Sequence, residues 1–199
     1  MSEHYRPQPC SEPGCTKTAL TGERACWTHL NDKAGFRERI RSLPLVNAWL
    51  VEADLADVDL VGADLTGARL SFANLRNADL RQATLYRTFL DGADLSGADL
   101  SEANLEFAVL GGAVLDGARL CRADLQRANL VGARAQAADF TGADLYYARV
   151  GNADFENAVF REAHIQRAIF RRANLCDTDF TGAQGTANFE NARMEGMRR

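Results

Sequence analysis

The sequence predicts a solenoid, in which the chain coils around a narrow apolar core, preceded by a small cysteine-rich module. Two observations support this prediction. A five-residue pattern centred on Leu or Phe recurs without an insertion from Leu55 to Phe180. Upstream of it, three cysteines and a histidine lie close together, between Cys10 and His29.

A period of five fits neither regular secondary structure. In an α-helix, an apolar residue at every fifth position drifts by about 140° per repeat, so no apolar face forms. In a flat strand, residues five apart point to opposite faces. Each pentapeptide therefore needs its own change of direction, which the Gly, Asp, Asn and Ser residues between the apolar positions can supply. We conclude that the chain coils and buries its central residues.

The pattern is strict over residues 51–185, which form 27 pentapeptides. The central residue is Leu in 18 of them and Phe in five, and the residue two positions earlier is Ala in 24, so chance does not account for the repeat. The consensus of these pentapeptides, A(D/N)LXX, resembles that of the pentapeptide-repeat family.

This resemblance implies an all-β solenoid, a right-handed quadrilateral β-helix with one pentapeptide on each side and about seven coils. The Ala and the central residue point inward, and the other three positions point to solvent. With about 4.8 Å between coils, the rod is expected to be roughly 32 Å long. Central residues of successive coils then stack into four internal columns.

The core is expected to change along the rod. Four of the five central Phe residues follow position 150 and should thicken the C-terminal half: Phe155, Phe160, Phe170 and Phe180. Ala135 leaves space in its column, which we expect Phe155 to fill. Beyond Phe180 the register slips by one residue, so Phe189 and Met194 come early and the coil is expected to end or bend there.

The upstream cluster has the spacing of a metal site. Four, ten and two residues separate its members, which are Cys10, Cys15, Cys26 and His29. Two ligand pairs on tight turns can surround one tetrahedral Zn²⁺, and the set resembles the small zinc-knuckle modules of the C-x4-C…C-x2-H kind. All four positions would be filled by protein, so we expect structural rather than catalytic zinc. The alternative is a disordered tail with free thiols.

The chain divides into four segments: a zinc-knuckle-like module (1–30), a helical cap or linker (31–50), the β-helix (51–185) and a C-terminal cap or dimerisation tail (186–199). A short helix should end before Pro44 and be followed by apolar residues over the first coil. We favour a module that caps this coil, because an exposed end is prone to aggregation. Alternatively, its basic residues contact a partner or nucleic acid. A homodimer is expected through the last coil, with Phe189, Met194 and Met197 at the joint.

Composition and charge limit the function classes. The formal net charge is −4, and the chain has neither an apolar run of membrane-spanning length nor an apolar signal segment, so we expect a cytoplasmic protein. Cys121 and Cys176 lie nearly three coils apart and are expected to be free thiols. The three histidines, His4, His29 and His164, assemble no nucleophile with a base. A filled rod offers no deep pocket, so we expect neither catalysis nor a small-molecule substrate.

With four repeats per coil, residues 20 apart lie above one another and the outward side chains sort into faces. One face carries an acidic stripe of Asp59, Asp79, Asp99, Asp139 and Asp179, interrupted by Arg119 and Val159. The next carries an alternating row of Arg87, Phe107, Arg127, Tyr147 and Arg167. Both are candidate partner-binding sites. The alternatives are structural roles: the aspartates accept hydrogen bonds from turn amides, and the row is only a stable surface ladder.

The following face has no Asp before its centres. It reads Arg69, Phe89, Val109, Asn129, Arg149 and Ile169, with Phe72 and Val131 nearby. We expect this apolar strip to support self-association.

The resemblance also implies a function. The best-understood pentapeptide-repeat proteins are DNA mimics that bind DNA gyrase or topoisomerase IV and protect it from quinolones or gyrase toxins. We therefore expect a non-enzymatic binding protein of this kind, although the repeats carry only about a third of the charge density of duplex DNA. The alternative is a protein-protein interaction scaffold or adaptor with no topoisomerase role. Direct DNA binding is not expected, because the acidic rod opposes it.

Overall fold

The computed structural model describes residues 7–199, so His4 lies outside the described part. Its regular helices are all near the N-terminus. Helix α1 spans Lys33–Arg39, and 3₁₀ turns span Trp27–His29 and Ile40–Ser42. The Asp32 side chain caps α1 by accepting the Gly35 N–H at 2.8 Å. Within residues 7–199 no helix has the length and hydrophobicity of a membrane span.

The rest of the chain is held together by single-residue parallel bridges rather than by long strands. From Trp49 to His164, each bridged residue pairs with the residue 20 positions later, and the bridges recur every five residues. A 20-residue turn with four columns of bridges has four sides, one per pentapeptide. This confirms the predicted solenoid. The first bridge, between Trp49 and Arg69, lies before the predicted start of the repeats at residue 51.

The coil was expected to end or bend after Phe180, and the bridges show that it does not end there. Ile169 bridges to Asn188, 19 positions later, and the same offset continues to Arg198. The missing residue is absorbed at Gly185, whose φ is +95°. A Cβ there would lie 2.8 Å from the backbone of Gln166, so only glycine allows the two coils to come this close. The segment predicted as a tail, residues 186–199, therefore continues the bridge ladder.

Each pentapeptide turns at the second residue after its centre. From Asn47 to Gly182, this residue has a positive φ in every repeat. The following Ala closes most of these turns, as where the Ala53 N–H donates to the Leu50 carbonyl at 3.1 Å. This is the hydrogen bond and the backbone sign of a type II turn, which favours glycine at that position.

Glycine and alanine should therefore have opposite effects at two exposed turn positions. Gly62 has a φ of +65° and open space around its Cβ position, so Gly62→Ala adds only backbone strain. Ala137 has a φ of +54°, so Ala137→Gly removes such strain. We expect the first to lower and the second to raise the free energy of unfolding, each by about 0.5–1 kcal/mol after the entropy of glycine is counted. Urea unfolding measures both, and changes of the same sign would contradict the turn assignment.

The core follows the predicted columns. Phe160 stacks on Phe140 and on Phe180, with ring centroids 4.7 and 4.6 Å apart. Phe155, one coil beyond Ala135, lies edge-on to Phe140 at 5.7 Å. All but Phe180, which is 4% exposed, are fully buried. The aromatic rings thus form one continuous cluster in the C-terminal half of the rod.

The N-terminal segment covers the first coil. The side chains of Phe36 and Ile40 are buried and belong to the same apolar cluster as the repeats. Thr21 and Trp49 exchange two hydrogen bonds: the Thr21 N–H donates to the Trp49 carbonyl at 3.0 Å, and the Trp49 N–H donates to the Thr21 hydroxyl at 2.7 Å. The end of the apolar core is therefore covered by the module and α1.

Candidate metal centre and interaction faces

The cysteine-rich module folds so that its four predicted ligands converge. An antiparallel bridge between Pro9 and Thr18 closes a hairpin around the first two cysteines. Cys26 directly precedes the first 3₁₀ turn, and His29 is the last residue of that turn. The converging residues are Cys10, Cys15, Cys26 and His29, whose ligand atoms all lie within 4.8 Å of one another.

The distances between these atoms fit a tetrahedral cation. Zn–S bonds of about 2.3 Å and Zn–N bonds of about 2.05 Å give edges of about 3.8 Å between sulfurs and about 3.5 Å between sulfur and nitrogen. The Sγ atoms of Cys10 and Cys26 each lie 3.5 Å from His29 Nδ1, and Cys15 Sγ lies 3.9 Å from Cys26 Sγ. The Cys26 N–H, donating to Cys10 Sγ at 3.4 Å, is the main cause that lowers the pKa of Cys10 to about 6. The cluster is thus compatible with a bound metal ion.

The acidic stripe has the predicted alignment, because bridges join its aspartates along one face of the rod. Each carboxylate also accepts the backbone N–H two residues later, at 2.9–3.3 Å. These aspartates are Asp59, Asp79, Asp99, Asp139 and Asp179. The stripe therefore holds turns in place, which was the alternative interpretation of its sequence pattern.

Arginines also neutralise much of this stripe. Arg81 lies 2.6 Å from Asp79, and Arg119 lies 3.5 Å from Asp99. Asp179 contacts both Arg161 and Arg198, and it is only 2% exposed. The stripe thus presents fewer free negative charges than the count of aspartates suggests.

Asp179 should make stability depend on pH. The Thr181 hydroxyl and N–H, followed by the Arg161 guanidinium, hold the pKa of this carboxyl well below its usual value. Because the pKa is lower in the folded state, the stabilisation is fully present above the unfolded pKa of about 3.9 and is lost as the pH falls further. We expect Asp179→Asn to be less stable than wild type at pH 7 and the difference to shrink at pH 2–3. A difference that does not change with pH in denaturant titrations would contradict this origin.

The alternating row is a stack of guanidinium groups and rings, here named the Arg ladder: Arg87, Phe107, Arg127, Tyr147 and Arg167. The Phe107 ring lies between Arg87 at 5.6 Å and Arg127 at 5.3 Å. Arg167 lies 5.0 Å from the Tyr147 ring and also donates to its hydroxyl. Cation–π contacts of this kind hold the guanidinium planes in place.

The arginines on this side of the rod differ from the others in their partners. No ion pair in the described part of the chain involves Arg69, Arg87, Arg127, Arg149 or Arg167. Most other arginines of the repeats lie against carboxylates, as Arg76 does against Asp94 at 3.2 Å and Arg134 against Asp116 at 2.6 Å. Of the remaining arginines in residues 51–185, only Arg172 also lacks an ion pair in the described structure. We name the group of Arg69, Arg87, Arg127, Arg149 and Arg167 the basic face.

Sequence reasoning missed the basic face as a unit. The ladder and the apolar strip were treated separately, although Arg69 and Arg149 of the strip adjoin the ladder. Arg69 lies between the rings of Trp49 at 5.3 Å and Phe89 at 4.8 Å, repeating the stacking of the ladder. The sequence feature that could have indicated the basic face is the absence of Asp before the central residues on the side that carries Arg69 and Arg149.

The remaining predicted contact residues lie apart from this surface or are partly covered. In the apolar strip, Phe72 is 65% and Ile169 is 40% exposed, whereas Val109 and Val131 are half-buried. The strip is therefore less continuous than expected. At the predicted dimer joint, Met194 is 39% exposed, and the other two residues pack partly against the core.

The repeats match a known family. A family model described as pentapeptide repeats matches residues 45–75, 63–102, 98–134 and 138–182, with eight copies. The chain belongs to the pentapeptide-repeat family. No curated protein sequence matches it.

Several solved pentapeptide-repeat structures are similar to this chain. HetL from the cyanobacterium Nostoc sp. strain PCC 7120, involved in heterocyst differentiation regulation, is 31% identical, with 76% of this chain and 83% of HetL covered and a TM-score of 0.34. QnrB1, a plasmid-mediated fluoroquinolone resistance protein, is 20% identical, with 70% and 90% covered and a TM-score of 0.40. Rfr23 from the cyanobacterium Cyanothece 51142 is 21% identical, with 84% and 92% covered and a TM-score of 0.29. The family assignment rests on the repeats themselves.

Proposed function

We propose that this pentapeptide-repeat protein is a non-enzymatic rod that binds a protein partner through its basic face. The observation that carries the proposal is that the five arginines of the basic face lie on one side of the rod and have no carboxylate partner within the described chain. Arg and aromatic side chains dominate the energetic centres of protein interfaces. Guanidinium groups already held by stacking lose less side-chain entropy on binding.

The proposal that the protein is not an enzyme rests on its filled interior and its exposed histidine. The central residues and the Ala residues beside them fill the coils with buried side chains. His164 pairs with Asp144 at 3.0 Å on the rod surface, and both side chains are substantially exposed. Such a pair lacks the enclosure that catalytic groups usually have.

We also propose a structural role for Zn²⁺ in the N-terminal module. The four converging ligands would hold the ion, and its chemistry there is the cross-linking of the hairpin to the 3₁₀ turn. We propose that the protein is cytoplasmic, because the free cysteines of the repeats are typical of a reducing compartment. We also propose that the coil is right-handed and has about seven turns.

Site-specific photocrosslinking in cells tests the binding role. A benzophenone amino acid is placed at Gln126, beside the ladder, or at Gln136, at a corner away from it. We expect crosslinks to a protein from position 126 and few from position 136. The matched pair begins from the same residue type, so equal crosslinking from both positions would reject a partner specific to the basic face.

The second candidate is a DNA mimic that binds gyrase or topoisomerase IV. The alignment of five aspartates along one face favours it, although their bonds to turn amides and arginines weaken it. Supercoiling and DNA-cleavage assays with gyrase, with and without a quinolone, test this candidate. If it holds, micromolar protein inhibits supercoiling or protects gyrase, and the variant Asp79→Asn/Asp99→Asn loses the effect. No effect of the wild-type protein removes the candidate.

A further inference from the structure

We infer that the basic face binds an acidic segment of a protein partner, whose carboxylates engage the unpaired guanidinium groups. This inference rests on the proposed binding function and adds the chemistry of the partner. The charge on this face is complementary to such a segment, because all five arginines lack an internal counter-charge.

The guanidinium groups form a regular row. Arg87, Arg127 and Arg167 recur every 40 residues, which is two steps of the 20-residue bridge ladder. At about 4.8 Å per step, they are spaced about 9.6 Å apart along the rod. Arg69 and Arg149 lie on the adjoining side and widen the row. A linear chain with many negative charges can therefore contact several arginines at once.

Stacking leaves the hydrogen-bonding edges of Arg87 and Arg127 available, whereas Arg167 already uses one donor on the Tyr147 hydroxyl. Arg87 and Arg127 cover the two sides of the Phe107 ring, and both arginine side chains are exposed. A guanidinium that stacks through its plane still has N–H donors at its edge, where a carboxylate can bind with two parallel hydrogen bonds. The ladder thus presents donors in fixed positions.

Two aspartates beside the ladder are engaged in other contacts. Asp124 accepts the Gln126 N–H at 3.0 Å, and Asp144 accepts the Tyr146 N–H at 2.9 Å and contacts His164. Both carboxylates therefore hold the turns that carry Arg127 and Tyr147.

The same contacts argue against single-stranded nucleic acid. Such ligands bind by stacking their bases on exposed aromatic rings. Here the Phe107 ring has a guanidinium on each side, and the Tyr147 ring is covered by Arg167 and by the edge of Tyr146, whose ring centroid is 4.6 Å away. These rings position arginines, and although the Tyr147 side chain is 37% exposed, its contacts with Arg167 and Tyr146 limit its use as a platform for bases. A protein segment rich in Asp or Glu fits better.

Fluorescence anisotropy with labelled poly-L-glutamate of about 20 residues at low ionic strength tests the inference on the full-length protein. The test variant is Arg87→Gln/Arg127→Gln/Arg167→Gln. The control variant is Arg76→Gln/Arg119→Gln/Arg134→Gln, which changes the net charge equally but removes arginines that already pair with carboxylates. We expect wild type to bind, the test variant to bind about tenfold more weakly or worse, and the control to change less than about twofold.

Three results would overturn the inference: no binding by wild type, equal losses in both triple variants, or tighter binding of a single-stranded oligonucleotide of similar length with the same dependence on the ladder. Thermal unfolding shows whether the triple variants keep their fold.

Arg149→Gln provides a second test, because this exposed side chain makes no ring contact in the described chain. We expect it to weaken poly-L-glutamate binding severalfold, and no change would count against the inference. If position 126 crosslinks to a protein but poly-L-glutamate does not bind, the proposed binding function stands and only the inference of an acidic partner segment is rejected.

Discussion

Replacing Phe160 by Ala should lower the free energy of unfolding by about 3–5 kcal/mol. The Phe160 ring is fully buried and stacks between Phe140 and Phe180, so it joins three successive coils. It also contacts the edges of Phe155 and Phe170, with centroids 5.3 and 5.7 Å away. Its removal leaves a cavity that the bridged backbone on both sides cannot close. Urea unfolding followed by far-ultraviolet circular dichroism measures the loss.

The control for this substitution is Phe72→Ala. The Phe72 ring is 65% exposed, so its removal should cost less than about 1 kcal/mol. If Phe160→Ala does not fold, Phe160→Leu remains informative, because Leu occupies the same column in earlier coils and should cost less. Equal losses for Phe160→Ala and Phe72→Ala would show that the aromatic column does not stabilise the rod.

Removing the metal should unfold the N-terminal module. We expect purified protein to carry about one zinc ion per chain and Cys26→Ser to carry much less, because one of the four ligands is lost. Structural zinc in small modules contributes roughly 10 kcal/mol or more of binding free energy, far more than so small a core supplies. Metal analysis measures the zinc content. Thermal unfolding with and without a chelator should show a lower melting temperature for the module and little change for the repeats.

Cys121→Ser is the matched control for the metal site. Cys121 is a free cysteine on the repeats, away from the module, and its replacement should leave the zinc content unchanged. Equal zinc content in wild type and Cys26→Ser would refute the ligand set. In Cys26→Ser, the contacts between Thr21 and Trp49 should also weaken, so amide hydrogens of the first coil should exchange faster.

The sequence predicted the solenoid because the five-residue pattern constrains every coil in the same way. It also predicted which residues share a face, since a 20-residue turn follows from four equal sides. It could not predict how the chain continues past Phe180. There a single missing residue is absorbed by the unusual φ of Gly185, a local adjustment that leaves the bridges on both sides intact.

The candidate sites were likewise predicted only in part from the sequence. The convergence of the four candidate metal ligands was predicted from their spacing, because cysteine and histidine in that pattern have few other uses. The acidic stripe was located but its charge was overestimated. Its neutralisation depends partly on Arg41, which lies outside the repeats and contacts Asp59, and such a contact has no signature in the periodic pattern. The basic face was missed for a related reason, since the absence of ion pairs appears only when side chains are placed.

From Trp49 to Gln184 every bridge of the ladder joins residues 20 apart, so the length of this part of the rod changes in whole coils. In the leucine-centred part, duplication of one coil would add about 4.8 Å and repeat contacts that already exist, without disturbing the coils on either side. Duplication between Arg87 and Arg127 would move these arginines apart by that same step. Selection could therefore match the arginine spacing to a new partner by copying coils, while the phenylalanine column near the C-terminus keeps one end of the rod fixed.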